Sequence, residues 1–254
     1  MAGRGPVPSR QDVPHPHAAI ADPTGRYLIV PDLGADLIRM FSIDAATGKL
    51  ISCPPATAGA GDGPRHAAWW SSSPDQRNGL MLYTINELSN SLTAWQTTYP
   101  ASTSGCLTLT RKQTLSTFAS GSVPNPPSSS QPVKAAEIHV HGNFLYASNR
   151  NDQLFGSGQD SLVTYNISSA GVLDFVEATS AHAWYPRTFA INKAGDLLAV
   201  GGQTSANVAI IARDQQTGRL GELVASLNVG TVGRDGQEDG LSAVVWSWSS
   251  KEGL

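Results

Sequence analysis

Imidazole, guanidinium and carboxylate side chains recur in this chain beside short apolar runs, at points a repeat would superimpose. His17, Arg65-His66, Lys134 and Arg187 each open such a run, while Asn86-Glu87 and Asn149-Arg150 each close the run that follows. An imidazole or carboxylate can take a proton from water, and guanidinium groups grip carboxylate or phosphate with paired hydrogen bonds. Gathered in one place, they suit chemistry on a small anionic substrate. Each residue also has a plainer reading. His15 and His17 flank Pro16, where either can cap a loop, and Arg65 and Glu87 can be a structural ion pair. Convergence of several blades on one mouth is what favours function.

The element that would bring about this convergence is an internal repeat. His17 to Leu50 reads HAAIADPTGRYLIVPDLGADLIRMFSIDAATGKL, and Arg187 to Leu220 reads RTFAINKAGDLLAVGGQTSANVAIIARDQQTGRL. Between them, the stretches that start at Arg65 and Ala135 keep the same order: apolar strand, Gly-centred turn, apolar strand, polar loop, alternating strand, turn, final strand. Four short strands per repeat, at a period of roughly 40–50 residues, is the pattern of β-propeller blades. No segment keeps a 3.6-residue apolar period over the roughly 11–18 residues a helix needs. The fold class is therefore predicted as all-β, a partial β-propeller of about four four-stranded antiparallel blades in one domain, 1–254. The Pro/Ser-rich stretch 119–133 reads as a surface loop. The run from Asp239 to Trp246 reads as one extra strand, the start of a fifth repeat, which predicts an open arc and an N-terminally shortened chain.

Aligned on Gly25, Gly142 and Gly195, the repeats send two sets of loops to opposite faces. One face receives His17, Arg65, Lys134 and Arg187 with Glu87 and Arg150. The other receives turn sequences such as Asp22-Pro23-Thr24-Gly25. His15-Pro16-His17 and His139-Val140-His141 have spacing that points two imidazoles to one side, but register puts the pairs at opposite ends of a blade. No metal is expected from them, and no Gly-rich phosphate loop or G-x-S-x-G motif is present.

Composition narrows the partners. Charged residues make up 15% of the chain, net charge is −3, and no basic stripe is present, which argues against nucleic-acid binding. No apolar run reaches the ~18 residues of a membrane helix. MAGRGPVPSRQ lacks the apolar core of a signal peptide. Cys53 and Cys106 are sparse and far apart, which predicts reduced thiols in a cytoplasmic protein. No cofactor is expected, and the oligomeric state is left open.

Several motifs resemble the seven-bladed lactonase family, which includes propeller-type 6-phosphogluconolactonases and the fungal 3-carboxy-cis,cis-muconate lactonizing enzyme. They are HPH (His15–His17), DPTGRYLIVPDLGADLIRMFSID (Asp22–Asp44), GPRHAAW (Gly63–Trp69), NELSNSL (Asn86–Leu92), AAEI (Ala135–Ile138), SNR (Ser148–Arg150) and YPRTFAI (Tyr185–Ile191). The resemblance implies a channel site with His17, Arg65, Glu87 and Arg150 as catalytic residues and His15, His66, Asn86, Glu137 and Arg187 as substrate-binding neighbours. Thr188 departs from the family, which often has His there. The implied activity is lactone hydrolysis of the 6-phosphogluconolactonase type, with Glu87 or His17 as base and Arg65 and Arg150 holding the anion and the oxyanion. A carboxymuconate-type cyclase and a non-catalytic scaffold are the alternatives. A seven-bladed ring would also leave roughly three blades outside this chain, so poor solubility and low activity are expected of it.

Overall fold

In the computed structural model, the apolar runs and Gly-centred turns become sixteen strands in four antiparallel sheets. The residues described are 3–247, except 74, 76, 77, 103, 104, 120, 122, 125–130 and 235–237. The first sheet holds β1 (Ile20–Ala21), β2 (Tyr27–Asp32), β3 (Leu37–Ile43) and β4 (Leu50–Thr57). The second holds β5 (Pro64–Ser71), β6 (Leu80–Asn86), β7 (Ser91–Thr98) and β8 (Thr108–Ser116). The third holds β9 (Lys134–His141), β10 (Phe144–Arg150), β11 (Ser161–Ile167) and β12 (Leu173–Ser180). The fourth holds β13 (Pro186–Ile191), β14 (Leu197–Gly202), β15 (Asn207–Arg213) and β16 (Leu220–Asn228). Each sheet runs in chain order, as a propeller blade does. No helix forms among the described residues.

The first turn of three blades depends on glycine. Gly25, Gly142 and Gly195 have φ of 68°, 59° and 77°, a region costly for residues with a Cβ. Apolar faces then pack blade on blade. Ile29, Met40, Leu82 and Trp95 fill the first junction, Tyr83, Leu92, Leu145 and Tyr165 the second, and Tyr146, Phe189, Val200 and Ile211 the third.

Each junction also carries the same polar fastener. Tyr83 and Tyr146 occupy matching places on second strands, and Tyr27 lies two residues earlier on its own; their hydroxyls donate to the carbonyls of Gly171, Gly218 and Gly105 in the following blade, at 2.9, 2.6 and 2.9 Å. Buried tyrosine so joins ring burial to a satisfied hydroxyl. The first strand of the first blade is short because prolines at 14 and 16 lack an N–H. Only His17 N to Pro31 O and Leu33 N to His15 O, both 3.0 Å, prolong the pairing.

Two expectations are corrected. Cys53 and Cys106 are bonded as a disulfide, with Cα atoms 5.7 Å apart. Sequence spacing hid this because adjacency comes from blade packing. Cys53 sits on β4, and Cys106 follows Gly105, the residue fastened to Tyr27. The run from Asp239 to Trp246 forms no strand. Trp246 Nε1 donates to Ala190 O at 2.9 Å and Val244 N to Thr188 Oγ1 at 3.5 Å. A first strand ladders with the second strand of its own sheet, and none of the described residues supplies one. The stretch 119–133 links β8 to β9, and most of it lies outside the described residues.

Candidate functional site

Bulges at one level of the blades aim the charged side chains. On β5 the pairing with β6 slips between Pro64 and His66, leaving Arg65 as the extra residue. On β13 it slips between Pro186 and Thr188, leaving Arg187. On β9 the two residues Ala136 and Glu137 oppose Ser148 alone, whose hydroxyl accepts the Glu137 N–H at 3.1 Å. A bulge turns a side chain out of the regular alternation. Here it happens three times at the same end of the blade.

Glu87 lies at the centre of a buried ion cluster. Its Oε2 meets Arg65 Nε at 3.1 Å and Arg150 Nη2 at 2.7 Å, and its Oε1 meets Arg10 Nη2 at 2.6 Å. The side chains of Arg65, Arg150 and Glu87 are only 1%, 1% and 2% exposed. Both arginines are also tied to the backbone, Arg65 Nη1 to Ala136 O at 2.6 Å and Arg150 Nη2 to Ala135 O at 3.1 Å. Burial pushes the Glu87 carboxyl up, but Arg150, Arg10 and Arg65 together push it down further, to about 2.

Beside this cluster runs a chain of three side chains from three blades. Glu137 Oε1 is 2.6 Å from His66 Nδ1, and His66 Nε2 is 3.1 Å from His17 Nδ1. Burial, then the charges of Arg65 and His66, hold His17 down at about 3, so its ring is neutral near pH 7. Burial raises the Glu137 carboxyl, but its hydrogen bond to His66 and the charges of His66, His139 and Arg65 lower it overall.

A second carboxylate comes from the tail. Glu238 Oε1 accepts from Tyr185 OH and from Lys134 Nζ, both at 2.9 Å, and its Oε2 meets Arg187 Nη1 at 3.3 Å. Burial raises this group too, and Lys134 and Arg150 outweigh it, leaving about 2. Tyr185 holds φ of 63°, uncommon for a bulky residue, with its N–H on Asp160 Oδ2 at 2.7 Å and the Arg150 guanidinium 5.1 Å from its ring centroid. Arg10, Arg65, Arg150, Arg187 and Lys134 thus face Glu87, Glu137 and Glu238, an excess of positive charge.

The structure brings together His17, His66, Arg65, Glu87, Glu137, Arg150 and Arg187 of the residues singled out by sequence. His15 stands apart: it is exposed and its ring meets Asp12 at 3.4 Å. Asn86 is fully buried, its Nδ2 donating to Ser91 Oγ and Thr93 Oγ1 at 2.9 and 3.0 Å. It fastens β6 to β7, as Asn149 fastens β10 to β11 through Ser161 Oγ at 3.0 Å. Sequence reasoning missed Arg10, Tyr185 and Glu238 and named Lys134 only by register. Arg10 is brought in by a strap that buried Gln11 pins to Leu33 O and Asp36 Oδ1, both at 2.8 Å. Neither the strap nor the tail belongs to the repeat, so register gave no signal for them.

His66, Glu137 and His139 line a cavity of ≈ 300 Å³ walled by Ala67, Trp69 and Val140. A larger concavity of ≈ 410 Å³ on Pro23, Trp69, Trp70 and Leu80 carries no titratable side chain, which makes it the poorer place for chemistry. Among the described residues no group of three or more His, Cys, Asp or Glu is placed to hold a metal ion, and no helix is long and apolar enough to cross a membrane.

Comparison with known proteins agrees with the fold. The family profile described as "Lactonase, 7-bladed beta-propeller" matches residues 1–234. A probable 6-phosphogluconolactonase of Arthroderma benhamiae is 37% identical over 223 residues, 87% of this chain and 52% of that protein. A 6-phosphogluconolactonase of Formosa agariphila is 33% identical over 235 residues, 90% of this chain and 59% of that protein. Among solved structures, the periplasmic gluconolactonase of Pseudomonas aeruginosa superposes with a TM-score of 0.72 at 28% identity, over 92% of this chain and 60% of that one. A putative 6-phosphogluconolactonase of Bacteroides fragilis gives 0.72 at 26% identity, over 96% of this chain and 60% of that one. The chain spans little more than half the length of the relatives it matches.

Proposed function

Because the chain belongs to the seven-bladed β-propeller lactonase family, we propose that its site hydrolyses the lactone ring of a small anionic sugar acid, of the 6-phosphogluconolactone type. One observation carries the reading: the His17 imidazole, in line with His66 and Glu137, stands against a mouth where cations outnumber carboxylates. A neutral imidazole can take a proton from water, and an excess of fixed positive charge favours both an anionic substrate and the oxyanion formed on attack.

The residues divide the work. His17 meets the attacking water. Arg65, with Nε on Glu87 and Nη1 on Ala136 O, keeps Nη2 for the oxyanion. Lys134, Arg187 and the Tyr185 hydroxyl, which now hold Glu238, receive the substrate's phosphate or carboxylate. Glu87, 2% exposed and with both oxygens held by three arginines, is sealed from an attacking water and serves as the counter-ion that fixes Arg65 and Arg150. The two residues that sequence offered as base are thus told apart by their surroundings.

The test is continuous titration of acid release from 6-phosphogluconolactone by this chain, beside 3-carboxymuconate absorbance. Lactone opening lost in His17→Asn supports the reading. Conversion of the muconate alone, or turnover unaffected by that substitution, overturns it. The cysteines bear on the compartment. A cytoplasmic setting is the expectation from sequence, whereas a Cys53–Cys106 bond persists best under oxidising conditions. Thiol titration of protein taken from its native compartment decides between them.

A further inference from the structure

We propose that His17 and His66 act as one base: a proton taken up by His17 is matched by one passed inward to His66, with Glu137 as the fixed counter-ion. This rests on the hydrolytic reading above and names the residues that make His17 competent for it.

Ionised Glu137 can only accept hydrogen bonds. At 2.6 Å from it, His66 Nδ1 must carry a hydrogen. When that is the only hydrogen on the His66 ring, its Nε2 is bare. His17 Nδ1 lies 3.1 Å from that nitrogen and must supply the hydrogen between them. His17 Nε2 is left with its lone pair, on the side of the ring away from His66. One carboxylate thereby selects, through two rings, the tautomer able to deprotonate water. The carboxylate is itself held, since Oε1 also accepts the Ile138 N–H at 3.1 Å and the Glu137 N–H is fixed on Ser148 Oγ.

Charge explains why one ring does not suffice. The groups facing His17 are Arg65, Arg187, His66 and Glu87, and Glu87 already balances three arginines. An imidazolium confined to His17 would sit among like charges. Moved to His66, the same charge lies against a carboxylate that otherwise faces only His139 and Arg65. The relay takes the charge from where it is repelled to where it is paired.

A water O–H proton goes to His17 Nε2 as the His17 Nδ1 proton crosses to His66 Nε2. The hydroxide oxygen bonds to the lactone carbonyl carbon, and the carbonyl π pair becomes the oxyanion beside Arg65. On collapse the ring C–O bond breaks. The leaving alkoxide takes the proton from His17 Nε2, and His66 returns its own to His17 Nδ1. One water is consumed, and both rings end as they began. His17 is the catalytic residue; His66 and Glu137 are positioning residues.

The experiment is ¹⁵N NMR of the imidazole rings in the full chain near pH 8, with His17 and His66 assigned by His17→Asn and His66→Asn. The expected spectrum shows His17 protonated on Nδ1 and bare at Nε2. A His17 hydrogen on Nε2 would overturn the proposal. Glu137→Gln is expected to lower kcat on 6-phosphogluconolactone at least about 10²-fold, with KM within about twofold, a displaced acid limb of the pH profile and partial rescue by Glu137→Asp. An unchanged kcat and pH profile would also overturn it. The spectrum requires no turnover. The Nδ1 tautomer without lactone hydrolysis would sink the lactonase reading and uphold the linked rings, and hydrolysis with the other tautomer would do the reverse.

Discussion

Glu87 and Glu238 are both carboxylates held down at about 2 by cations, yet they are built in different ways. Glu87 directly follows the second strand of a blade and is 2% exposed, locked between arginines that are themselves bonded to backbone carbonyls. Glu238 sits on a tail without regular structure, with its side chain 34% exposed, and meets Lys134 and Arg187, which keep partial access to water. The same titration behaviour thus arises from a sealed counter-ion in one case and an exchangeable one in the other. Depressed acidity alone does not identify a catalytic group. What separates the two is whether the partners can be released.

Removing the sealed partner should have the largest effect. Glu87→Gln leaves two buried guanidinium groups without their anion, a change that typically costs about 3–5 kcal/mol. For a domain of this size that lowers Tm by roughly 10 °C, measurable by calorimetry. The pH dependence follows from the direction of the shift. Glu87 lies lower in the folded chain than its ordinary value of 4.5, so its contribution is fully present above about 4.5 and is lost as pH falls through about 2. The Gln variant should lose stability more shallowly across that window. An equal acid slope in both proteins would put the stabilisation elsewhere.

Next in size is a control that touches neither carboxylate. Reduction of Cys53–Cys106, a link across 53 positions of sequence, should cost about 2–4 kcal/mol. Because the bond joins the first two blades away from Glu238, the loss should be equal in the parent and in Glu238→Gln. A loss that differs between them would show that the tail and the first junction are coupled.

A smaller change probes the rim of the sealed site. Arg10 contacts Glu87 at 2.6 Å from a strap, with its side chain 36% exposed. Arg10→Ala should cost at most about 1 kcal/mol, by denaturant titration. A loss as large as that of Glu87→Gln would mean that the strap, and not the blade corner, supports the cluster.

How much of this was legible in sequence depended on whether a residue belonged to the repeat. The four blades were legible because alternation, Gly-centred turns and period are local signals that recur. Arg65, Glu87, Arg150 and Arg187 were legible because equal positions in successive blades meet at one end of the fold. The bulges at Arg65 and Arg187, which turn these side chains toward the site, leave no mark a single sequence reveals. The Cys53–Cys106 bond depends on which strand edges blade packing sets side by side. Arg10 and Glu238 lie on segments that repeat nothing. Asn86 shows the limit in the other direction: its register was read correctly, but its amide turns into the blade to fasten two strands.

Glu238 gives the smallest effect on stability and the clearest functional contrast. Half-exposed ion pairs contribute about 0–1 kcal/mol, so Glu238→Gln should shift Tm by no more than about 2–3 °C. The three groups it leaves, Lys134, Arg187 and the Tyr185 hydroxyl, are then a donor set without an anion. If these groups receive the substrate's phosphate, the tail carboxylate competes with it, and its removal should tighten inorganic phosphate binding about tenfold, or ~1.4 kcal/mol. Adding Lys134→Ala should reverse the gain, and both effects should shrink as salt rises, because the groups keep partial access to water. Calorimetric titration of phosphate into the three proteins measures this directly. Equal affinity in the parent and Glu238→Gln would mean that the carboxylate merely fastens the tail, and that the substrate's anion is held elsewhere in the site.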